Sequence, residues 1–193
     1  MATTTLRLAQ DPEADALLAR DPLALLVGML LDQQFPMERA FASPHQLARR
    51  LSLETLDAAA IAAYDPDAFA KVMAGPPALH RYPAAMAGRV QALCRTVAKD
   101  WGGDAAALWR GAGTGPELLT RVRSLPGFGE QKARIFVALL GKQLGVRPSG
   151  WREAAGPYGQ EGSHRSVADV TDAESLALVR AFKQAAKQAQ RDR

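Results

Sequence analysis

Cysteine is almost missing from this chain. The single Cys94 excludes an internal disulfide and cannot supply the four thiolates of an iron–sulfur cluster, so its expected role is helix packing. Histidine is nearly as sparse, and His45, His80 and His164 are too scattered for a metal-site signature. No signal peptide is recognisable, and no apolar run approaches the ~20 residues that span a bilayer, so a soluble, cytoplasmic protein with no membrane partner is expected. Aromatic residues make up only 6% of the chain, and β-branched or aromatic side chains never alternate over the length of a strand. With alanine and leucine dominant, the expected fold class is all-α.

What is present sets further bounds. A chain of 193 residues can bury a substantial core, as one compact unit or two intimate lobes. The net charge of +4 is a mild bias, consistent with a polyanionic partner and equally with a solvated basic surface. No heptad or exposed apolar stripe stands out, so a monomer is expected.

Residues 1–10 read as a frayed start. Asp11-Pro12 and Asp21-Pro22 each combine an N-cap with proline at the first helical position. Leu23 to Leu31 is apolar nearly all round, which predicts a helix central in the core. It ends abruptly at Asp32-Gln33-Gln34. Short helices are predicted over 37–41, 45–51, 56–63 and 67–73, punctuated by Ser43-Pro44, Ser52 and Asp65-Pro66. After the rigid Gly75-Pro76-Pro77 break, the segment from Leu79 to Val90 enters a helix running to about Trp101 and closed by Gly102-Gly103. A weak helix and a glycine-rich link occupy 104–116, and a glycine-rich loop occupies 154–164. The last helix is predicted to start at Thr171 as N-cap with Glu174 completing a capping box. Leu176, Val179 and Phe182 would face its core side, and Lys183, Lys187, Arg191 and Arg193 its exposed side.

The stretch with the most chemistry is Leu125-Pro126-Gly127-Phe128-Gly129-Glu130-Gln131-Lys132-Ala133. Leu118, Leu119, Val122 and Leu125 before it, and Ala133, Phe136, Val137 and Leu140 after it, recur at helical spacing, which predicts helix, tight hairpin, helix. Pro126 fixes φ, while Gly127 and Gly129 tolerate a sharp reversal and the close approach of another backbone. The second helix then presents its unpaired N-terminal amides and positive dipole end beside those glycines, a site that suits phosphate. From the residues alone the segment is a plain turn or a phosphate clamp without sequence readout.

The pattern Leu-Pro-Gly-Phe-Gly followed by Lys132-Ala133 and an apolar helix resembles the helix-hairpin-helix of the base-excision DNA glycosylases, over roughly residues 22–150. The resemblance implies two helical lobes flanking a DNA-binding cleft. Residues 22–145 would form a bundle containing the hairpin (118–141), and 1–21 with 146–193 a second lobe. Its partner would be double-stranded DNA, in the cytoplasm and associated with the nucleoid. It implies DNA contacts from Gly127, Phe128, Gly129, Gln131 and Lys132, with Gln34 as the wedge that fills the gap left by an extruded nucleotide and Gln33 beside it. The plan of the 79–101 segment, an aromatic before a helix that ends at Gly102-Gly103, also resembles the family, which implies a base pocket from His80, Tyr82 and Trp151. Without the resemblance, Gln33 and Gln34 are a polar helix end, and His80 and Tyr82 are helix-start packing.

The chain departs from the family at two positions. The lysine that serves bifunctional members as covalent nucleophile is replaced by Gln131, which cannot form a Schiff base; any activity would be that of a monofunctional glycosylase without abasic lyase action. Lys132, one residue on, points about 100° away and is expected to contact phosphate. The catalytic aspartate of the family would fall on Ser149 or Gly150, where no acid stands. Glu153, Asp169 and Asp32 are the nearest substitutes, each with an ordinary alternative as a dipole partner, loop residue or helix-end group. No iron–sulfur cluster or metal is implied, and a monovalent cation at the hairpin is allowed. A DNA-binding protein of the same fold that has lost hydrolysis is the alternative reading.

Overall fold

A computed structural model describes residues 4–193. Its elements run in chain order as α1 (Pro12–Arg20), α2 (Pro22–Leu31), α3 (Met37–Arg50), α4 (Ala58–Ala63), α5 (Pro66–Ala74) and α6 (Pro83–Asp100). After these come α7 (Ala107–Arg110), α8 (Gly115–Arg123), α9 (Glu130–Gln143), α10 (Trp151–Ala155) and α11 (Ala173–Arg191). Short 3-10 turns lie at Gly156–Gly159 and Val167–Asp169. Among the described residues there is no strand, only an isolated parallel bridge between Thr114 and Ser149. The all-α expectation stands, and no helix among the described residues is long and apolar enough to cross a membrane.

The local signals near the start act as the sequence predicts. Asp11 accepts from the Glu13 and Ala14 amides, and Asp21 from those of Leu23 and Ala24. Every residue of α2 from Leu23 to Leu31 is buried. Helix α3 packs on α2 and α1, and α2 crosses it at Gly28, where an added Cβ would stand 2.7 Å from the Phe41 ring. Burial of Cys94 pushes its thiol up to about 12, which fits a packing role.

Several expectations need correcting. Of the supposedly frayed 1–10 segment, residues 1–3 lie outside the described residues, but Leu6 and Leu8 are buried and the Ala9 amide donates to Asp15 at 2.8 Å. Helix α3 is continuous through Pro44 rather than two helices. Met37, Ala40, Phe41, Pro44, Leu47 and Ala48 make one buried face, whose burial outweighs the single hydrogen bond that proline removes. The last helix is capped by Asp172 with Ser175 at the reciprocal position, one residue later than predicted. The Ser175 amide donates to the Asp172 carboxylate at 2.7 Å, and the buried hydroxyl closes the box. Phe182, predicted to face the core, is 40% exposed and stacks under the Arg165 guanidinium.

One cluster of buried hydrophobic residues takes in side chains from Leu6 to Val179. Helix α1 rests on α2 and α3; α10 rests on α8 and α9. Trp151 sits on Gly141 so closely that an added Cβ there would lie 2.3 Å from the ring. From that contact α10 and the following turn run back along α9 toward its N-terminus, bringing the Tyr158 hydroxyl to Gln131 Nε2 at 3.0 Å. Helix α11 reaches across to the α2–α3 junction through Arg180–Glu38 and a Lys183–Asp32 pair at 4.0 Å.

Candidate functional site

Helices α8 and α9 are joined by a tight reversal. The Phe128 amide donates to the Leu125 carbonyl at 3.1 Å, and Gly127 has φ +84°. Gly127 and Gly129 are exposed, while Phe128 is 3% exposed and meets Phe136 edge to face. Phe128 therefore anchors the hairpin from inside instead of offering its ring outward. Gly129 supplies no side-chain cap, so the first amides of α9 face outward unpartnered. Glu130 at the helix start is held between Arg123 (2.9 Å) and Arg134 (2.7 Å). Among the described residues no group of three metal-binding side chains occurs.

Lys132 does not extend toward solvent as expected. Its ammonium donates to the Met29 carbonyl at 2.8 Å and the Leu30 carbonyl at 3.1 Å, closing the C-terminus of α2. Burial pushes its pKa down to about 8, opposed by the charge of Asp32. A signal for this was present: Lys132 shares a helical stripe with Phe136 and Leu139, both fully buried.

The α2–α3 turn carries Asp32, Gln33 and Gln34. Gln34 is exposed in the left-handed region at φ +51°, and Gln33 Nε2 lies 3.6 Å from the Met86 sulfur. His80 is 1% exposed and holds the turn from beneath, its Nε2 3.0 Å from the Gln33 carbonyl while its Nδ1 accepts the Tyr82 amide at 3.0 Å. Its ring also packs 4.9 Å from Phe35. Tyr82, by contrast, is 46% exposed at the start of α6. Trp151 is buried at the far end of α9 from the hairpin, so His80, Tyr82 and Trp151 do not share one pocket.

The three candidate carboxylates separate clearly. Asp169 is 4% exposed in its side chain and accepts from Lys142 at 2.6 Å, from Ser163, and from the Arg165 and Ser166 amides, a structural knot that pins the 160–170 segment to α9. Glu153 is exposed on α10. At the family's expected position, the Ser149 carbonyl accepts the Gly115 amide at 2.7 Å, at the end of α8 away from the hairpin. Asp32 is 10% exposed in its side chain; burial raises its carboxyl above the ordinary value, against the pull of Lys183 and Lys132, with Glu38 adding to the rise.

Asp32, Gln33, Gln34, Phe35 and Arg81 line a hollow of about 770 Å³ closed on one side by Lys183 and Lys187 of α11. The same two lysines line a second hollow of about 410 Å³ with Gln131, Tyr158 and Arg165. Asp32, the paired glutamines and the start of α9 thus open onto hollows that share one basic helix. Arg81, Tyr158 and Arg165 were not singled out from sequence as site residues; their common feature, a cation or hydroxyl beside a glycine- or proline-rich turn, is too frequent to be a signal. No protein-family model, curated protein or solved structure matches the chain.

Proposed function

We propose that this chain is a DNA-binding protein of the helix-hairpin-helix base-excision type, acting as a monofunctional glycosylase that extrudes a damaged base and hydrolyses its N-glycosidic bond. The reading rests on Asp32, an enclosed carboxylate beside Gln33 and Gln34 in a hollow walled by lysines. The outward amides of Gly127, Gly129 and the start of α9 would hold phosphates without reading sequence. Gln34, exposed at the tip of its turn, would occupy the vacated stack. As the bond between sugar C1′ and the base breaks, its electron pair leaves with the base. The Asp32 carboxylate would stabilise the positive charge left on the sugar and accept a proton from the water that adds to C1′. Gln131 supplies no amine for a Schiff base, so the strand would stay intact.

The absence of an acid at Ser149 and Gly150, with Asp32 already neighboured by Lys183, favours a second reading as a non-catalytic DNA-binding protein of the same type. Base release from a panel of short duplexes, each with one lesion or mismatch and developed with alkali, tests both. Release with breaks only after alkali supports the glycosylase. No release with salt-sensitive binding supports the second reading, and no binding to any duplex sinks both.

A further inference from the structure

Helix α11 is tied to the body only along its first half. Ser175, Leu176 and Val179 are buried, whereas every residue from Ala181 onward is exposed. Between Ser175 and Arg191 the sequence holds Arg180, Lys183, Lys187 and Arg191 and no carboxylate. On a 3.6-residue period these four fall within about 80° of arc, a single stripe. Favourable charge at a helix C-terminus accounts for Arg191, but that effect fades within the last turn and does not reach Lys183 or Arg180. Arg180 is spent on Glu38 and Lys183 stands 4.0 Å from Asp32, while Lys187 and Arg191 have no acidic partner among the described residues. Lys183 and Lys187 face inward over both hollows, opposite the hairpin's helix and the Asp32 turn, with Arg165 and Arg81 at the margins.

Resting on the proposed function, we infer that α11 is a second backbone-binding wall. Its Lys183–Lys187–Arg191 stripe takes phosphates of duplex DNA on the side of the hollows opposite the hairpin. Successive cations one turn apart rise by about 6 Å, so the stripe follows a strand rather than gripping one phosphate. The inward aim of the lysines argues against an anionic membrane as the occupant, since a helix lying on a bilayer would turn them outward with Leu178 and Phe182 inserted.

The test compares full-length protein with a Lys187→Gln/Arg191→Gln double variant, both residues being exposed, and with Lys71→Gln on α5 as a control cation. Binding to one undamaged duplex is measured across a salt series. The double variant is expected to flatten the dependence of log affinity on log salt by about 1.8, at about 0.9 per lost phosphate contact, with the control unchanged. Wild-type binding with an unaltered slope in the double variant would overturn the inference and leave the proposed function standing. Absence of salt-dependent binding by the wild type would overturn both. Binding to phosphatidylserine vesicles that disappears in the double variant, with its DNA slope intact, would assign the stripe to a membrane instead.

Discussion

The ammonium of Lys132 donates to the Met29 carbonyl at 2.8 Å, joining the first turn of α9 to the last turn of α2 across 103 residues of chain. This bond makes the hairpin and the Asp32 turn one mechanical unit. It also has a measurable pH signature. The folded-state pKa is pushed down to about 8 from 10.5, so below about 8 both folded and unfolded chains hold the proton and the folded state bears the full penalty of burying it. Between the two values the unfolded chain binds the proton and the folded chain does not, so stability rises with pH. The rise from this group is on the order of 3 kcal/mol. Urea unfolding of wild type and Lys132→Met between about pH 8 and about pH 10.5 isolates it, since other groups titrate alike in both. Parallel curves would refute the assignment.

How much of this was legible in the sequence follows the distance over which each feature acts. The caps at Asp11 and Asp21, the apolar α2 and the α8–hairpin–α9 unit depend on neighbours within a few residues, and they stand as read. The final cap falls one residue later than the sequence predicts because Thr171 and Asp172 are both competent caps, and it is Asp172 that closes a reciprocal box with buried Ser175. The pairings that shape the site, His80 with the Gln33 carbonyl over 47 residues and Lys142 with Asp169 over 27, obey no local rule. Asp32 and Asp169 look equivalent as letters. Only the fold gives one a full set of partners and leaves the other at a hollow.

His80 provides a second pH-dependent element. With Nδ1 accepting the Tyr82 amide, the ring proton sits on Nε2 and is donated to the Gln33 carbonyl, a neutral tautomer. Burial lowers its pKa below 6.5, so as pH falls past that value the unfolded chain takes up a proton before the folded one. Stability is therefore full above about pH 6.5 and is lost toward the lower folded-state pKa. The loss between about pH 7 and about pH 5 should be steeper in wild type than in His80→Asn, because His45 and His164 remain in both proteins. Identical slopes in denaturant titrations would show that His80 does not titrate with unfolding.

Gly127 carries both the geometry of the reversal and its clearance. At φ +84° a side chain is strained, and a Cβ would lie 2.4 Å from Cδ1 of the buried Leu30. Gly127→Ala should lower stability by about 1–2 kcal/mol through the left-handed backbone alone. Displacement of Leu30 would add to this and disturb the Met29 and Leu30 carbonyls held by Lys132. If the hairpin holds phosphates, DNA affinity should fall equally for unrelated duplexes. A normal unfolding midpoint with normal binding would remove the hairpin from both roles.

Asp32 and Asp169 should separate function from stability. Asp169→Asn deprives Lys142, only 14% exposed, of its charge partner at 2.6 Å and loosens the bonds to Ser163 and the Arg165 and Ser166 amides. A loss of about 3 kcal/mol is expected, as for a buried pair broken on one side. Any activity lost should return when the protein is kept folded at lower temperature. Asp32→Asn removes a carboxylate that burial already disfavours but also the charge that supports buried Lys132, so stability should change less than in Asp169→Asn, while base release should fall about 100-fold or more with DNA binding retained. Paired measurements of unfolding midpoint and single-turnover base release decide the matter. An Asp32→Asn protein that releases base at the wild-type rate would end its candidacy, and an Asp169→Asn protein of undiminished stability that cannot release base would transfer the role to Asp169.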